Sequence, residues 1–365
     1  MVFLLVFVSS IFCGHLGKIE LDSVTLAVAV VNVTGVSVGF GMTAACDTLM
    51  SQTYGSNNLK RVGTILQRGV LLLLLCCFPC WALFINTEQI LLLCKQHPDV
   101  PRSTQKYVMI FLLALPAVYL MQLQSNYLQI QVFTGILVNV INAVVNAILM
   151  YGLKMGVEEW AMAVSLFVYI IVKKLHVQTW GGWSKDCLQE WGPFMSLAIP
   201  SMLMLCIDWW SFEIGGVLAG LISVVELGGQ TAMMELVMVS IMFPFSLNSA
   251  ACVRVGNALG AGKAEQAKKS SKVVLCLGGK ELLAFQHLKL KSSFLLIILF
   301  ITLYYCMIKL MKMQIKKIVL QISSGGVVSG LGRQKIGAIT NFIGYYFIGL
   351  PVGISLMFLG KLGII

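Results

Sequence analysis

The sequence predicts an all-α polytopic membrane protein built from two pseudo-symmetric helical lobes, and three observations carry that expectation. Hydrophobic residues fill 58% of the 365 positions and charged residues only 11%, with a mean hydropathy of +0.88; soluble domains run near about 25% charged. The apolar residues gather into runs of roughly 20, the length a helix needs to cross a hydrocarbon core of about 30 Å. A segment of the first half also recurs in the second. Ala44-Ala45-Cys46 precedes Gln52-Thr53-Tyr54-Gly55-Ser56-Asn57, and Ala250-Ala251-Cys252 precedes Asn257-Ala258-Leu259-Gly260-Ala261-Gly262. Each copy follows the second apolar span of its half and precedes a basic stretch, as in transporters built from two homologous lobes.

Taken in order, residues 1–14 read as the back half of a first membrane helix, because the apolar run is short and no basic residues precede it as they would in a signal peptide. Spans follow at 23–46, 64–85, 103–128 and 131–153, with a shortened one at 160–172. A polar insert occupies 47–63, and a short amphipathic piece occupies 88–96. After a polar stretch at 173–190 comes a span at 191–221, in which Pro200 removes a helix hydrogen bond. A span at 228–251 and a polar loop at 254–272 complete the repeat. The division is therefore a first lobe at 1–175, a cytoplasmic linker at 176–190 and a second lobe at 191–365.

Charge and cysteine content exclude several functions. The net charge of +11 sits in short loops between apolar runs, the pattern of cytoplasmic loops in a bilayer protein rather than of a nucleic-acid face. The 11 cysteines lack the spacing of a zinc site or a disulfide framework and read as small packing residues. The histidines, His15, His97, His176 and His287, fall in or beside predicted loops, which argues against an enzyme using histidine or a metal at membrane depth. No repeated filter sequence suggests a channel. We expect no enzyme activity, no cofactor and no metal.

The chemistry concentrates at 199–213, IPSMLMLCIDWWSFE. A carboxylate near the middle of a membrane helix costs roughly 2.5–3.5 kcal/mol on insertion scales, so it normally faces a cavity or a partner. Asp208 and Phe212 share one helix face, while Trp209 and Glu213 share the next. Carboxylate beside aromatic ring suits an organic cation, through charge and a cation–π contact of about 0.5–2 kcal/mol. Such a carboxylate can be neutralised by a proton or by a cationic substrate, but hardly by both, and exclusion at one site amounts to antiport. Glu235 joins the set, whereas Glu226 reads as a solvated loop acid. Asn139, Asn142 and Asn146 share one face of their span and read first as interhelical hydrogen-bond formers. Tyr345 and Tyr346 read as an interfacial belt.

Four stretches, GVSVGFGMTAACDTLMSQTYGSNNLKRVG, AIPSMLMLCIDWWSFEIG, VRVGNALGAG and GAITNFIGYYFIGLPVGISLMF, closely resemble the vertebrate multidrug and toxin extrusion (MATE) family of the kidney and liver type. The resemblance implies a twelve-helix bundle of two six-helix lobes that exchanges protons for organic cations and drugs by alternating access. It also implies a monomer in the apical plasma membrane. It places family acids on Asp208, Glu213 and Glu235, a cavity tryptophan on Trp209, a polar cavity position on Asn32 and two substrate-sensitive cysteines on Cys13 and Cys77. At position 208 the family usually has Glu, one methylene longer.

Residues 278–321 depart from that pattern. Lys280, Lys289, Lys291, Lys309, Lys312, Lys316 and Lys317 lie where two membrane helices of the second lobe belong. Family His and Glu positions fall on Ile315 and Ile318. Roughly ten to eleven spans are expected, with the first incomplete and a twelfth helix absent. The rival reading is a non-transporting, truncated or degenerate member of the family.

Overall fold

The computed structural model describes residues 26–93, 99–130, 158–174, 176–222, 244–287, 321–322 and 324–355, and no strand occurs among them. Five described helices are long and apolar enough to cross a membrane: Leu26–Gly55, Leu59–Ile85, Pro101–Leu128, Trp191–Gly216 and Gln334–Ile354. Their outward faces are apolar as well. Leu113 is 76% exposed, Phe347 68% and Phe78 62%, which is what a hydrocarbon surround requires and water penalises.

Helix α1 (Leu26–Gly55) begins irregularly. Its π-helical stretch, Asn32–Val36, precedes regular helix at Ser37–Gly55. The hydroxyls of Thr34 and Ser37 bond back to the carbonyls of Val30 at 2.7 Å and Val33 at 3.0 Å, competing with the helix ladder. The Gly35 carbonyl accepts from Tyr119 at 2.8 Å. Helix α2 (Leu59–Ile85) starts where the Asn58 side chain accepts from the Arg61 amide at 3.3 Å, a side-chain N-cap. The short α3 (Thr87–Leu93) is clamped by Gln105 of α4 (Asp99–Ile130): Gln105 accepts from the Glu88 amide at 2.9 Å and donates to the Phe84 carbonyl at 3.0 Å. Helix α5 (Glu158–Val172) packs on α4.

These helices share one core with the start of α6 (Trp191–Ile222), filled by Met50, Leu73, Phe84, Leu115, Tyr119, Leu123 and Phe194, each at most 1% exposed. α6 crosses α1 at close range. A Cβ on Gly41 would stand 2.3 Å from the Met202 Cα, so only glycine permits this approach. Pro200 lies inside α6 without ending it. The segment ahead of α6 is fastened to α2. Gln67 donates to the Gly182 carbonyl at 2.7 Å, Arg68 donates to the Asp186 and Cys187 carbonyls at 3.1 and 3.3 Å, and Arg61 pairs with Glu190 at 2.8 Å.

The second half contributes α7 (244–260), α8 (Ala264–His287), the short α9 (324–330) and α10 (Gln334–Ile354). Two expectations are corrected here. The polar insert expected at 47–63 is helical to Gly55, and the polar loop expected at 254–272 is helical to residue 260 and again from Ala264. In the first stretch Thr48 and Gln52 do not seek water, because they bond across the seam between the halves, whereas residues 261–266 of the second are exposed. Thr48 donates to the Ser329 carbonyl at 3.0 Å, Gln52 to the Gly330 carbonyl at 2.9 Å, and Gln334 to the Thr48 hydroxyl at 2.9 Å. Gly55, Gly256 and Gly260 let backbone meet backbone or side chain across it: a Cβ on each would fall within 2.1 Å of Asn257, Ser51 and Gln52 respectively.

The expected spans at 131–153 and 228–251 fall partly or wholly outside the described residues, as do Asn139, Asn142, Asn146 and six of the seven lysines. Lys280 is described, and it sits within α8.

Candidate functional site

Three consecutive residues of α6 divide between two sides. Asp208 turns toward the second half, where its Oδ1 accepts from Asn341 Nδ2 at 2.8 Å and from Gln321 Nε2 at 3.0 Å. Trp209 turns toward α1 and meets the Phe40 ring edge-on, with centroids 6.1 Å apart. Trp210 donates its indole N–H to the Val33 carbonyl at 3.0 Å, inside the π-helical stretch of α1.

One turn on, the division repeats. Phe212 lies on the Asp208 side, edge-on to Tyr345 with centroids 6.4 Å apart. Glu213 lies on the Trp209 side, and its carboxylate interacts with the side chain of Asn32 at the start of the π-helical stretch. Asp208 thus bonds two amides on one side of α6, and Glu213 meets one amide on the other. One acid faces each half.

The partners of Asp208 are themselves oriented. Tyr345 donates to Gln321 Oε1 at 2.8 Å, and the Asn341 amide nitrogen also reaches the Met204 carbonyl at 3.4 Å. Tyr345 belongs to a second π-helical stretch, Ile343–Gly349, which interrupts α10. The two wide turns thus flank α6 from opposite sides, a placement that recurs at functional sites in helical proteins. The described salt bridges are Arg61 and Arg68 to Glu190, so no lysine or arginine among the described residues pairs with Asp208 or Glu213.

This arrangement lies in a chain most of whose sequence matches one family. The sequence profile of the MatE family matches residues 1–152 and 200–354. The chain belongs to the MATE family. It is 54% identical to multidrug and toxin extrusion protein 1 of Rattus norvegicus over an alignment of 393 positions that takes in 100% of this chain and 68% of the rat protein. The human protein of that name is 52% identical, with the same coverage of both chains. Among solved structures, the eukaryotic MATE transporter AtDTX14 superposes with a TM-score of 0.76 at 27% identity, covering 98% of this chain and 86% of that one. The chain is thus a multi-pass, all-helical membrane protein of a transporter family, not an enzyme. The matched region 200–354 runs through the lysine-rich stretch at 278–321.

Of the residues singled out from the sequence, Asp208, Trp209, Glu213 and Asn32, which the MATE resemblance carries, and Phe212, which helix spacing places beside Asp208, lie together at the meeting of α6 with α1 and α10. Cys77 is 1% exposed inside the first half's core, beside Cys80. Cys13 and Glu235 lie outside the described residues. Sequence reasoning missed Gln321, Asn341 and Phe40, and it placed Tyr345 in an interfacial belt where the structure bonds it to Gln321. A signal existed for Asn341, a lone amide within an apolar span. None existed for Gln321, at the end of the lysine-rich stretch.

Proposed function

We propose that this chain is a proton-coupled antiporter that exports organic cations and drugs by alternating access, acting as a monomer in the apical plasma membrane. One observation carries the reading. Asp208 is held by neutral amides and faces no fixed positive charge among the described residues, so its ionised form calls for a mobile counter-charge. A proton or an organic cation meets that demand, each displacing the other. Trp209 and Phe212 offer ring faces and edges to such a cation without fixing its shape, which suits a broad substrate range. Glu213, with Asn32, offers a second acid toward the first half, and Glu235 is carried into the set by the family resemblance, as are Cys13 and Cys77 into the cavity wall.

The test is uptake of tetraethylammonium, whose charge does not titrate, into proteoliposomes with an acidic interior. One pH unit supplies about 1.4 kcal/mol per proton, enough for roughly tenfold accumulation. We expect accumulation that collapses with the gradient, and background uptake from Asp208→Asn. Uptake that ignores the gradient overturns the coupling, and full uptake by Asp208→Asn overturns the site.

The lysines between 289 and 317 favour one second reading: a family member that binds cations at this site but does not complete the transport cycle. Tetraethylammonium binding without uptake would select it.

A further inference from the structure

Resting on the reading of Asp208 as the exchanging acid, we infer that Gln321, Asn341 and Tyr345 are positioning residues that fix this carboxylate by one oxygen and leave the other as the atom where proton and cation exchange. A carboxylate oxygen offers two lone pairs. On Oδ1 both are engaged, by Asn341 Nδ2 at 2.8 Å and Gln321 Nε2 at 3.0 Å. No hydrogen bond from the described residues reaches Oδ2. With respect to the described residues, the lone pairs left for an incoming proton or ammonium group are therefore those of Oδ2.

The donors are not free to turn away. Gln321 presents its nitrogen rather than its oxygen because Tyr345 donates to that oxygen at 2.8 Å. Asn341 presents its nitrogen because both acceptors around it, Asp208 Oδ1 and the Met204 carbonyl, demand a donor. The relay thus runs from the Tyr345 hydroxyl through Gln321 to Asp208. Tyr345 is itself braced by the Phe212 ring. Among the described residues, the polar groups around Asp208 are Gln321 and, from α10, Asn341 and Tyr345, while Glu213, one turn on along α6, lies on the Trp209 side with its own partner Asn32.

Two N–H donors on one oxygen favour the ionised form, because a hydrogen bond to the charged state stabilises it over the neutral one. The sign follows directly. Removing a donor makes the carboxylate hold its proton to higher pH, so a cation that needs the ionised acid is lost at higher pH. A role confined to packing would instead weaken binding at every pH and leave the midpoint in place.

The experiment measures tetraethylammonium binding to the purified 365-residue chain in lipid nanodiscs across pH, and so does not depend on transport. We expect Gln321→Leu and Asn341→Leu each to move the midpoint of the binding profile up by about one pH unit, with the alkaline plateau close to that of the unsubstituted chain. Tyr345→Phe, which keeps the ring against Phe212 and removes one hydroxyl, should give a smaller shift of the same sign. Asp208→Asn should bind nothing at any pH. Unmoved midpoints with Asp208→Asn inactive overturn the positioning role alone, as does a uniform loss of affinity with the midpoint in place. Binding retained by Asp208→Asn overturns the site itself, and the relay with it.

Discussion

Thr48 and Cys252 meet side chain to side chain at 3.9 Å, although they are 204 positions apart in sequence. Both are buried in the seam between the halves. A thiol at position 48 would therefore stand beside the existing one. We expect Thr48→Cys to cross-link to Cys252 under mild oxidation, read as a linked peptide pair by mass spectrometry, and to stop any cycle that needs the seam to open. A control, Ser56→Cys, lies on an exposed turn and should not link to Cys252. Absence of the Thr48→Cys link would show that the seam as described is not the resting arrangement.

The crossing of α1 and α6 depends on one missing side chain. A Cβ on Gly41 would press on the Met202 backbone at 2.3 Å, and a backbone cannot swing aside as a side chain can. Gly41→Leu should destabilise by about 1–3 kcal/mol or more, whereas Gly181→Ala, with open space around the new atom, should leave thermal unfolding nearly unchanged. Equal melting temperatures for the two variants would contradict the described crossing.

Glu213 and Asn32 offer a test by pairs. Both are half-buried, so removing one member leaves the other partly unsatisfied, at up to about 1 kcal/mol, while replacing both with apolar groups costs less. Asn32→Leu alone should thus lower stability more than Asn32→Leu combined with Glu213→Leu. A denaturation series in detergent reads the difference, and simple additivity would show that the two do not interact.

Much of the site's near side was legible in the sequence, and little of its far side. Two carboxylates and three aromatics inside one apolar run announce themselves, and their spacing assigns them to faces of one helix. Gln321 and Asn341 reach Asp208 across 113 and 133 positions, and no local pattern encodes a pairing over that distance. The seam misled for the opposite reason. Asp47, Thr48, Ser51 and Gln52 read as solvated loop because polarity normally means water, yet all four are helical, and Thr48 and Gln52 bond across to the other half instead. Tyr345 beside Tyr346 mimics an interfacial pair, and only the π-helical turn beneath it and the amide it meets reveal that it points inward.

The basic loops predict an orientation. Lys60, Arg61, Lys173, Lys174, Lys185, Arg254, Lys263, Lys268, Lys269, Lys272, Arg333 and Lys335 fall on one side if alternate loops share a compartment, against Lys18, Lys95, Arg102, Lys106 and Lys154 on the other, and an excess of such residues marks the cytoplasm. The turn at Ser56–Asn58 then faces inward. A cysteine placed at Asn57 should resist a membrane-impermeant thiol reagent on intact cells and react after permeabilisation. Labelling of intact cells would invert the topology.

Under the second functional reading, the stretch from Lys289 to Lys317 limits the cycle. Each lysine near mid-membrane costs roughly 2.5–3.5 kcal/mol on insertion scales, less where the side chain reaches the interface. Replacing residues 288–320 by the corresponding segment of the rat relative should then raise tetraethylammonium uptake from background to a gradient-driven level. Equal uptake before and after the exchange would show that the native stretch already supports a working second lobe.

The fastening of the 176–190 segment to α2 has a mechanical consequence. Through Gln67, Arg68 and Arg61 it is pinned to the first half almost to its last residue, so it travels with that half rather than acting as a slack tether. The chain enters α6 at the Glu190–Trp191 junction, where Glu190 holds a left-handed φ of 55°. For a residue other than glycine that conformation costs about 1–2 kcal/mol. The start of α6 is thus aimed by a pre-twisted residue whose carboxylate is held at 2.8 Å by Arg61, so the direction in which the helix leaves the linker is set by the first half and not by slack length.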